Sequence, residues 1–130
     1  MATRSNIAYQ RPNGQVVVAY CHWDGYPEHN GVMLNEHYNN QSKAEELANQ
    51  GYLSSLKPTI KESLDDRANI QPPTIYHSAH TFYNDVQFGI EWIYLFKNNQ
   101  WYVCVGQSTF TENDLQPLWS VLAKLEKVRA

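Results

Sequence analysis

Residues 20–27, which read Tyr-Cys-His-Trp-Asp-Gly-Tyr-Pro, constrain the fold more than any other segment of this chain. They follow the apolar run 16–19, which is typical of a β-strand. Gly25 breaks the strand, and Pro27 suits the first turn of a helix because its missing N–H has no helical partner there. The segment therefore predicts a strand that ends in a sharp corner and continues as a helix.

Alternation along this strand, which is predicted to span residues 15–24, sorts the motif into two faces. Cys21 and Trp23 share one face with the apolar residues and are predicted to be a core pair. The side chains predicted to emerge together on the opposite face are Tyr20, His22 and Asp24. The strand thus predicts an inward face of a thiol and an indole, and an outward face of polar groups.

Turn signals and apolar periodicity predict the other elements. The predicted strands are 6–11, 15–24, 74–82, 91–97 and 101–106, with tight turns at 12–14 and 98–99. The predicted helices are 27–39, then 42–50 with Ser42 as its cap, and a C-terminal helix from Leu115 with leucines at helical spacing. A single helical turn is expected within 84–90.

This order of elements predicts a single α+β domain over residues 1–130. We expect an antiparallel sheet of about five strands, with a helical hairpin and the C-terminal helix packed on it. The strand 91–97 carries large apolar side chains on both faces, so it should be central and covered twice. Residues 57–73 are expected to form a surface loop with one helical turn near 61–68.

Charge and composition exclude several classes of protein. The chain has ten Lys and Arg residues against thirteen Asp and Glu, a net charge of −3, so non-specific nucleic-acid binding is not expected. The sequence shows no apolar run of membrane-spanning length, and no export signal is expected. Cys21 and Cys104 are therefore expected to be reduced thiols in a cytoplasmic protein, and no cofactor is expected.

The histidines and acids of the motif raise two chemical hypotheses. A metal site is not predicted, because the spacing within the set His22, Asp24, Glu28, His29 and His37 matches no common ligand pattern. His22 as a general base oriented by Asp24 is an alternative. The competing interpretation is a histidine hydrogen-bonded at the strand end to hold the corner.

Aromatic side chains gather at the same corner and predict a binding face. Such faces, with a few polar tips, bind planar ligands or the hot-spot residues of a partner. The predicted ligand-binding residues are Tyr20, His22, Asp24, Tyr26, His37 and Tyr38. The alternative is a small aromatic core whose tyrosine hydroxyls reach the surface.

The motif at 20–27, followed by Gly31, Leu34, His37 and Tyr38, resembles that of a family of small proteins from tailed phages and prophages. The stretch 53–56 and the hairpin segments 94–96 and 101–103 are also similar to that family. The resemblance implies a phage-type accessory protein made in the infected cell, and it implies no catalytic residues.

Together these observations predict an accessory binding protein that docks a host protein or sequesters a small, nucleotide-like ligand, and so counters host defence. One alternative is a small, metal-assisted hydrolase that uses His22 and Asp24. Another is a structural or assembly protein. An exposed Trp119 on the C-terminal helix would indicate a homodimer.

Overall fold

The structure is a computed structural model that describes residues 2–129, and it contains seven strands in one sheet. The strands are β1 (Arg4–Gln10), β2 (Val16–Cys21), β3 (Tyr52–Leu53), β4 (Thr74–Tyr76), β5 (Ile90–Lys97), β6 (Gln100–Val105) and β7 (Gln116–Pro117). The α-helices are α1 (Val32–His37), α2 (Gln41–Ala48), α3 (Ile60–Asp65), α4 (Ala79–Tyr83) and α5 (Leu118–Arg129). The α+β class is confirmed.

The sheet is mixed, so the expectation of an antiparallel sheet of about five strands was wrong. Its order is β3-β2-β1-β5-β6-β7, and β4 also pairs with β2. The pairs β1–β5 and β2–β3 are parallel, whereas the other pairs are antiparallel. A tight turn cannot join a parallel pair, so β2 first returns the chain to the end of the sheet where β1 begins, and residues 22–89 lead from there to β5. Hairpin signals in a sequence are local and cannot reveal such a distant pairing.

Both faces of the sheet are covered, and β5 contributes to both, as predicted for residues 91–97. One core lies on the face that carries α1, α2 and α5, and its large buried members include Ile7, Leu34, Tyr38, Leu47, Tyr94, Phe96 and Trp101. The other core lies on the opposite face, and its members include Val18, Phe82, Ile93, Leu95 and Phe110. We call the first the helical face and the second the α4 face. The alternation predicted for β2 is confirmed as far as Cys21.

The predicted helical hairpin is present, but its details differ. Its first arm starts with a wide π-type turn at Pro27–Gly31 and continues as α1. The predicted cap Ser42 was wrong, because the Asn40 side chain accepts the N–H of Lys43 and caps α2. Asn40 has the extended backbone of a cap residue, and asparagine caps as well as serine.

The helical turn predicted near 61–68 is confirmed as α3, which Thr59 caps. The segment 74–83 departs furthest from expectation. The predicted strand 74–82 was wrong, because β4 ends at residue 76 and α4 follows. Ser78 accepts the N–H of Thr81, and such local side-chain capping favours a helix start over a continued strand. The helical turn expected within 84–90 is therefore replaced by α4 at 79–83.

The last third of the chain matches the sequence prediction more closely. The hairpin β5–β6 is confirmed, and its turn residues Asn98 and Asn99 have φ of 50° and 63°, as a type I′ turn requires. Helix α5 begins at residue 118, after a capped 3-10 turn and β7. Among the described residues, no helix is both long and apolar enough to cross a bilayer.

Candidate functional site

The corner after β2 turns more sharply than the sequence predicted. Hydrogen bonds from the backbone N–H groups of His22 and Trp23 to the carbonyls of Leu53 and Ser54 measure 3.0 and 2.9 Å. Strand β2 ends at Cys21, before Trp23, and Asp24 then adopts a left-handed φ of 58°. The prediction of Trp23 as a core residue was wrong, since its side chain is 45% exposed. Its ring meets the His22 ring edge-on at 4.7 Å.

Glycine is required at position 25 because the chain passes close to β1 there. The N–H of Gly25 donates to the Thr3 carbonyl at 2.8 Å, and its own carbonyl accepts the Tyr94 hydroxyl at 2.6 Å. A Cβ at this position would lie 2.8 Å from Ser5 Cβ. The corner is thus fastened to the sheet at its turning point.

The buried side of the corner is structural. The Asn30 amide is fully buried and donates to Ser5 Oγ at 3.3 Å and to Cys21 Sγ at 3.4 Å. Burial raises the pKa of the Cys21 thiol to about 11, so the thiol is protonated at neutral pH. Cys21 and Cys104 are both free, and burial raises the pKa of Cys104 to about 12. Cys21 therefore serves packing and not nucleophilic chemistry.

The outward side chains form two separate pairs. Tyr20 Oη and His22 Nδ1 share a hydrogen bond of 2.8 Å, and Tyr26 Oη donates to Asp24 Oδ1 at 3.0 Å. The hydrogen bond to Asp24 raises the pKa of Tyr26. Within residues 2–129 no hydrogen bond joins His22 to Asp24. The arrangement expected for a general base oriented by Asp24 is therefore replaced by an imidazole that a tyrosine orients.

The structure does not bring His37 and Tyr38 to the Tyr20–His22 pair or to the Asp24–Tyr26 pair. Tyr38 is buried in the core of the helical face, whereas Tyr20 packs against the core of the α4 face. The Tyr38 hydroxyl donates to the Lys57 carbonyl at 2.6 Å, and burial raises the pKa of Tyr38. His37 ends α1, with its Nε2 at 3.8 Å from a carboxylate oxygen of Glu36. Of the six predicted residues, Tyr20 and His22 form one pair and Asp24 and Tyr26 another.

Tyr20 forms a wall of an open cleft of about 220 Å³. The rings of Tyr20 and Tyr52 lie with their centroids 5.6 Å apart. The side chains that line the cleft include Tyr20, Tyr52, Gln71, Pro72, Thr74 and Gln87. A smaller recess of about 30 Å³ shares Tyr20, Thr74 and Gln87 with it and adds Asn6. We call the two together the Tyr20 cleft.

Asn6 is the unusual residue of the Tyr20 cleft. It lies directly opposite Tyr20 in the β1–β2 register and is only 7% exposed. Its side-chain atoms are not among the enclosed polar atoms that lack a partner, a class that within residues 2–129 contains only Gln10 Oε1. Asn6 lines the recess, where a carboxamide can offer both a donor and an acceptor to whatever enters. Asparagine is also depleted in strands, which is the one sequence signal that could have pointed to it.

Arg4 is a basic residue whose charge acts on Tyr20, although it lines neither part of the Tyr20 cleft. It pairs with Ile90, whose side chain packs on the α4 face, so Arg4 is on the face of Asn6 and Tyr20. A Cβ at Gly89 would lie 2.7 Å from its Nη1 atom. Burial raises the pKa of Tyr20, and the nearby positive charge of Arg4 opposes that rise. None of the ion pairs found among the described side chains involves Arg4.

The remaining histidines do not add a metal site. His29 Nδ1 shares a hydrogen bond of 2.9 Å with the Asn30 side-chain oxygen. Over the described part of the chain, no three His, Cys, Asp or Glu side chains converge as metal ligands would.

Known proteins add no further identification. No protein family model, no curated protein and no solved structure matches this chain. The resemblance of residues 20–27 to phage proteins therefore stays a prediction. The corner and the Tyr20 cleft are the features of the molecule that bear on its function.

Proposed function

We propose that this chain is a binding protein that holds a small, planar, polar ligand in the Tyr20 cleft. The observation that carries the proposal is an open cleft walled by the rings of Tyr20 and Tyr52, with the carboxamide residue Asn6 lining its adjoining recess. Aromatic walls with a few convergent polar groups are typical of small-molecule sites. The predicted nucleotide-like ligand fits this chemistry.

The size of the cleft favours a ligand with one ring or two fused rings. Its volume of about 220 Å³ is below that of pockets for drug-sized molecules, which measure about 300–1,000 Å³. The ring of Tyr20 is held in place by its hydrogen bond to His22 and by its contact with Tyr52. A wall held in this way needs little ordering when the ligand binds, which favours affinity.

With the resemblance of residues 20–27, the proposal extends to a phage-type accessory protein that sequesters such a ligand in the infected cell and counters host defence. Docking of a host protein is the second candidate. It is favoured by the exposure of Trp23 and Tyr26 at the corner, because Trp and Tyr are enriched among the residues that dominate binding energy at interfaces.

The cleft is tested by nuclear magnetic resonance titration of the ¹⁵N-labelled protein with adenosine, uridine and nicotinamide. The side-chain amide signals of Asn6 report directly on the recess. Thr74→Tyr places a ring at the exposed edge of the cleft and should abolish binding. Thr109→Tyr is the matched control, because Thr109 is also exposed but lines neither part of the cleft.

Binding of at least one probe that shifts the Asn6 amide, and its loss in Thr74→Tyr alone, would support the proposal. Unchanged Asn6 signals with all three probes, together with no small molecule released on denaturing protein purified from expressing cells, would contradict it. A host protein captured by the wild type but not by Trp23→Ser would then favour the docking function.

The predicted homodimer through the C-terminal helix also remains a proposal, supported by the exposure of Trp119, which reaches 62% on α5. Analytical ultracentrifugation of the wild type and of Trp119→Ser tests it. A dimer that the substitution dissociates supports this interface, and a monomeric wild type at high micromolar concentration rejects it.

A further inference from the structure

A crevice opens where the two central parallel strands end. Strands β1 and β5 are neighbours in the sheet, and their parallel ladder stops at Tyr9 opposite Phe96. Beyond that pair the chain turns outward on both sides, since β1 leads through a turn to β2 and β5 leads through another to β6. Neighbouring parallel strands whose connections diverge leave a gap at their carboxyl ends, and ligands commonly bind in such gaps.

The gap at the ends of β1 and β5 is a cavity with walls from three elements. Residues 9–12 form one wall, residues 96–99 form the other, and Gln41 at the start of α2 adds the third. Its volume of about 310 Å³ lies within the range of about 300–1,000 Å³ for ligand pockets. We call it the hairpin crevice. It shares no lining residue with the Tyr20 cleft, so the two are separate places on the molecule.

Gln10 lines the hairpin crevice and has an unsatisfied polar atom. It pairs outward with Val16 in the β1–β2 ladder, whereas the β1–β5 ladder ends one residue earlier. Its Oε1 atom is enclosed and accepts no hydrogen bond, which holds for no other enclosed side-chain atom within residues 2–129. Enclosed acceptors normally have a donor, and the terminal torsion of glutamine turns easily. The Gln10 amide therefore gains a hydrogen bond by turning toward a ligand that offers an O–H or N–H.

The charges at the hairpin crevice favour a neutral ligand. Its lining residues include no Asp and no Glu. Both of its cationic side chains have partners, because Arg11 Nη1 donates to Gln15 Oε1 at 2.9 Å and Lys97 Nζ pairs with the Glu112 carboxylate. Its other polar lining residues are all carboxamides, namely Gln10, Gln41, Asn98 and Asn99. A carboxamide both donates and accepts hydrogen bonds, and a hydroxyl group matches it because it does the same.

We infer that the hairpin crevice is a second binding site, which takes a neutral polyhydroxyl molecule of monosaccharide size. Its hydroxyl groups bond the carboxamides, and its carbon skeleton rests against Tyr9 and Phe96, whose stacked rings have their centroids 6.2 Å apart. The inference does not depend on the ligand proposed for the Tyr20 cleft.

Nuclear magnetic resonance titration of the ¹⁵N-labelled full chain with D-glucose, D-ribose and N-acetyl-D-glucosamine, at millimolar concentrations, tests the inference. We expect at least one sugar to shift the side-chain amide signals of Gln10 in a saturable way. Gln10→Met keeps the length of the side chain but removes its hydrogen bonds, and should weaken binding about tenfold. Gln50→Met is the matched control, because Gln50 is also partly buried but lines neither the crevice nor the Tyr20 cleft.

The stability of the two variants separates a binding role of Gln10 from a structural one. Because the Gln10 oxygen has no partner to lose, Gln10→Met should have a thermal midpoint no lower than that of the wild type. Weaker sugar binding without a loss of stability supports the site. Unchanged Gln10 signals with all three sugars overturn it, and so does equal weakening by the control.

The charge of the ligand is tested by comparing D-glucose with D-gluconate, which carries a carboxylate. Binding of gluconate as tight as that of glucose, or tighter, overturns the assignment of a neutral ligand. Should Gln10→Met not fold, Gln41→Trp takes its place, because Gln41 is an exposed lining residue and a ring there fills the crevice. Gln41→Trp must then abolish sugar binding, whereas Ser42→Trp at the next exposed position must retain it.

Discussion

The tryptophans at positions 23 and 101 have opposite environments although both are large aromatic residues. Trp23 lies between the end of β2 and the left-handed Asp24 and is 45% exposed, whereas Trp101 is 2% exposed and donates its indole N–H to the Tyr38 carbonyl at 3.0 Å. The position of each ring relative to the end of its strand therefore determines its energetic role, and residue type does not.

Trp101→Ala is expected to lower the free energy of unfolding by about 3–5 kcal/mol, because it removes a large buried ring and leaves a cavity. Trp23→Ala should lower it by about 1 kcal/mol or less, since a half-exposed ring leaves no cavity. Urea denaturation followed by circular dichroism measures both values. Equal losses for the two variants would show that Trp23 is a core residue after all.

The hydroxyl of Tyr94 is the second residue-scale feature, because it fastens the corner from across the core. Tyr94→Phe should lower the free energy of unfolding by about 1–2 kcal/mol, since the buried Gly25 carbonyl loses its donor. Tyr102→Phe is the control, because Tyr102 is only partly buried and bonds the nearby Gln100 side chain. Thermal and urea denaturation measure the difference between the two variants. A Tyr94→Phe variant as stable as the control would show that this hydroxyl does not stabilise the corner.

Side chains that cap the helices decide where several elements begin. Asn40, Thr59 and Ser78 each accept a backbone N–H from the residue three positions ahead, and each precedes a helix of five to eight residues. Helices this short have little stability of their own, so a cap and tertiary packing together hold them. The segment 74–82 illustrates the effect, since its alternating pattern predicted a strand and Ser78 starts a helix within it.

The cap of α2 gives a prediction at this scale that separates the sequence pattern from the structure. Asn40→Ala should lower the free energy of unfolding by about 1 kcal/mol through loss of the hydrogen bond to the Lys43 N–H. Ser42→Ala should be nearly neutral, because Ser42 is exposed within the first turn. Chemical denaturation of the two variants measures both changes in the free energy of unfolding. A larger effect at Ser42 would restore Ser42 as the helix cap that the sequence predicted.

The whole molecule consists of one mixed sheet between two cores, and each core contains one buried thiol. Cys21 belongs to the core of the helical face and Cys104 to that of the α4 face. Because burial raises the pKa of both thiols in the folded protein, the folded state holds their protons more tightly than the unfolded chain does. Global stability is therefore linked to pH on the alkaline side.

We expect the free energy of unfolding to fall as pH rises from 8 to 10. The unfolded thiol ionises near its ordinary pKa of 9.0, whereas folded Cys21 keeps its proton up to about pH 11, so the unfolded state gains stability first. Urea midpoints at pH 8, 9 and 10 measure the slope. Cys21→Ala should show a smaller fall over that range, whatever its stability at pH 8, and an unchanged slope would contradict the linkage.

The residues of the Tyr20 cleft show how far the sequence alone could reach. Tyr20 and His22 were predicted as neighbours because strand alternation places them on one face, and the structure joins them by a hydrogen bond. Asn6 was missed because it lies on another strand, and only the register of β1 against β2 places it opposite Tyr20. Tyr38 was expected with them, but it is buried on the opposite face of the sheet.

The sequence by itself determined the features that depend on neighbouring residues. These are the hairpin β5–β6 with its Asn-Asn turn, the alternation of β2, the helical hairpin after Pro27 and the α+β class. Only the tertiary structure decided the parallel pairing of β1 with β5, the exposure of Trp23 and the placement of Asn6 opposite Tyr20. The reason is physical: local periodicity and turn chemistry act over a few residues, whereas long-range strand pairing depends on how the whole sheet buries its two faces.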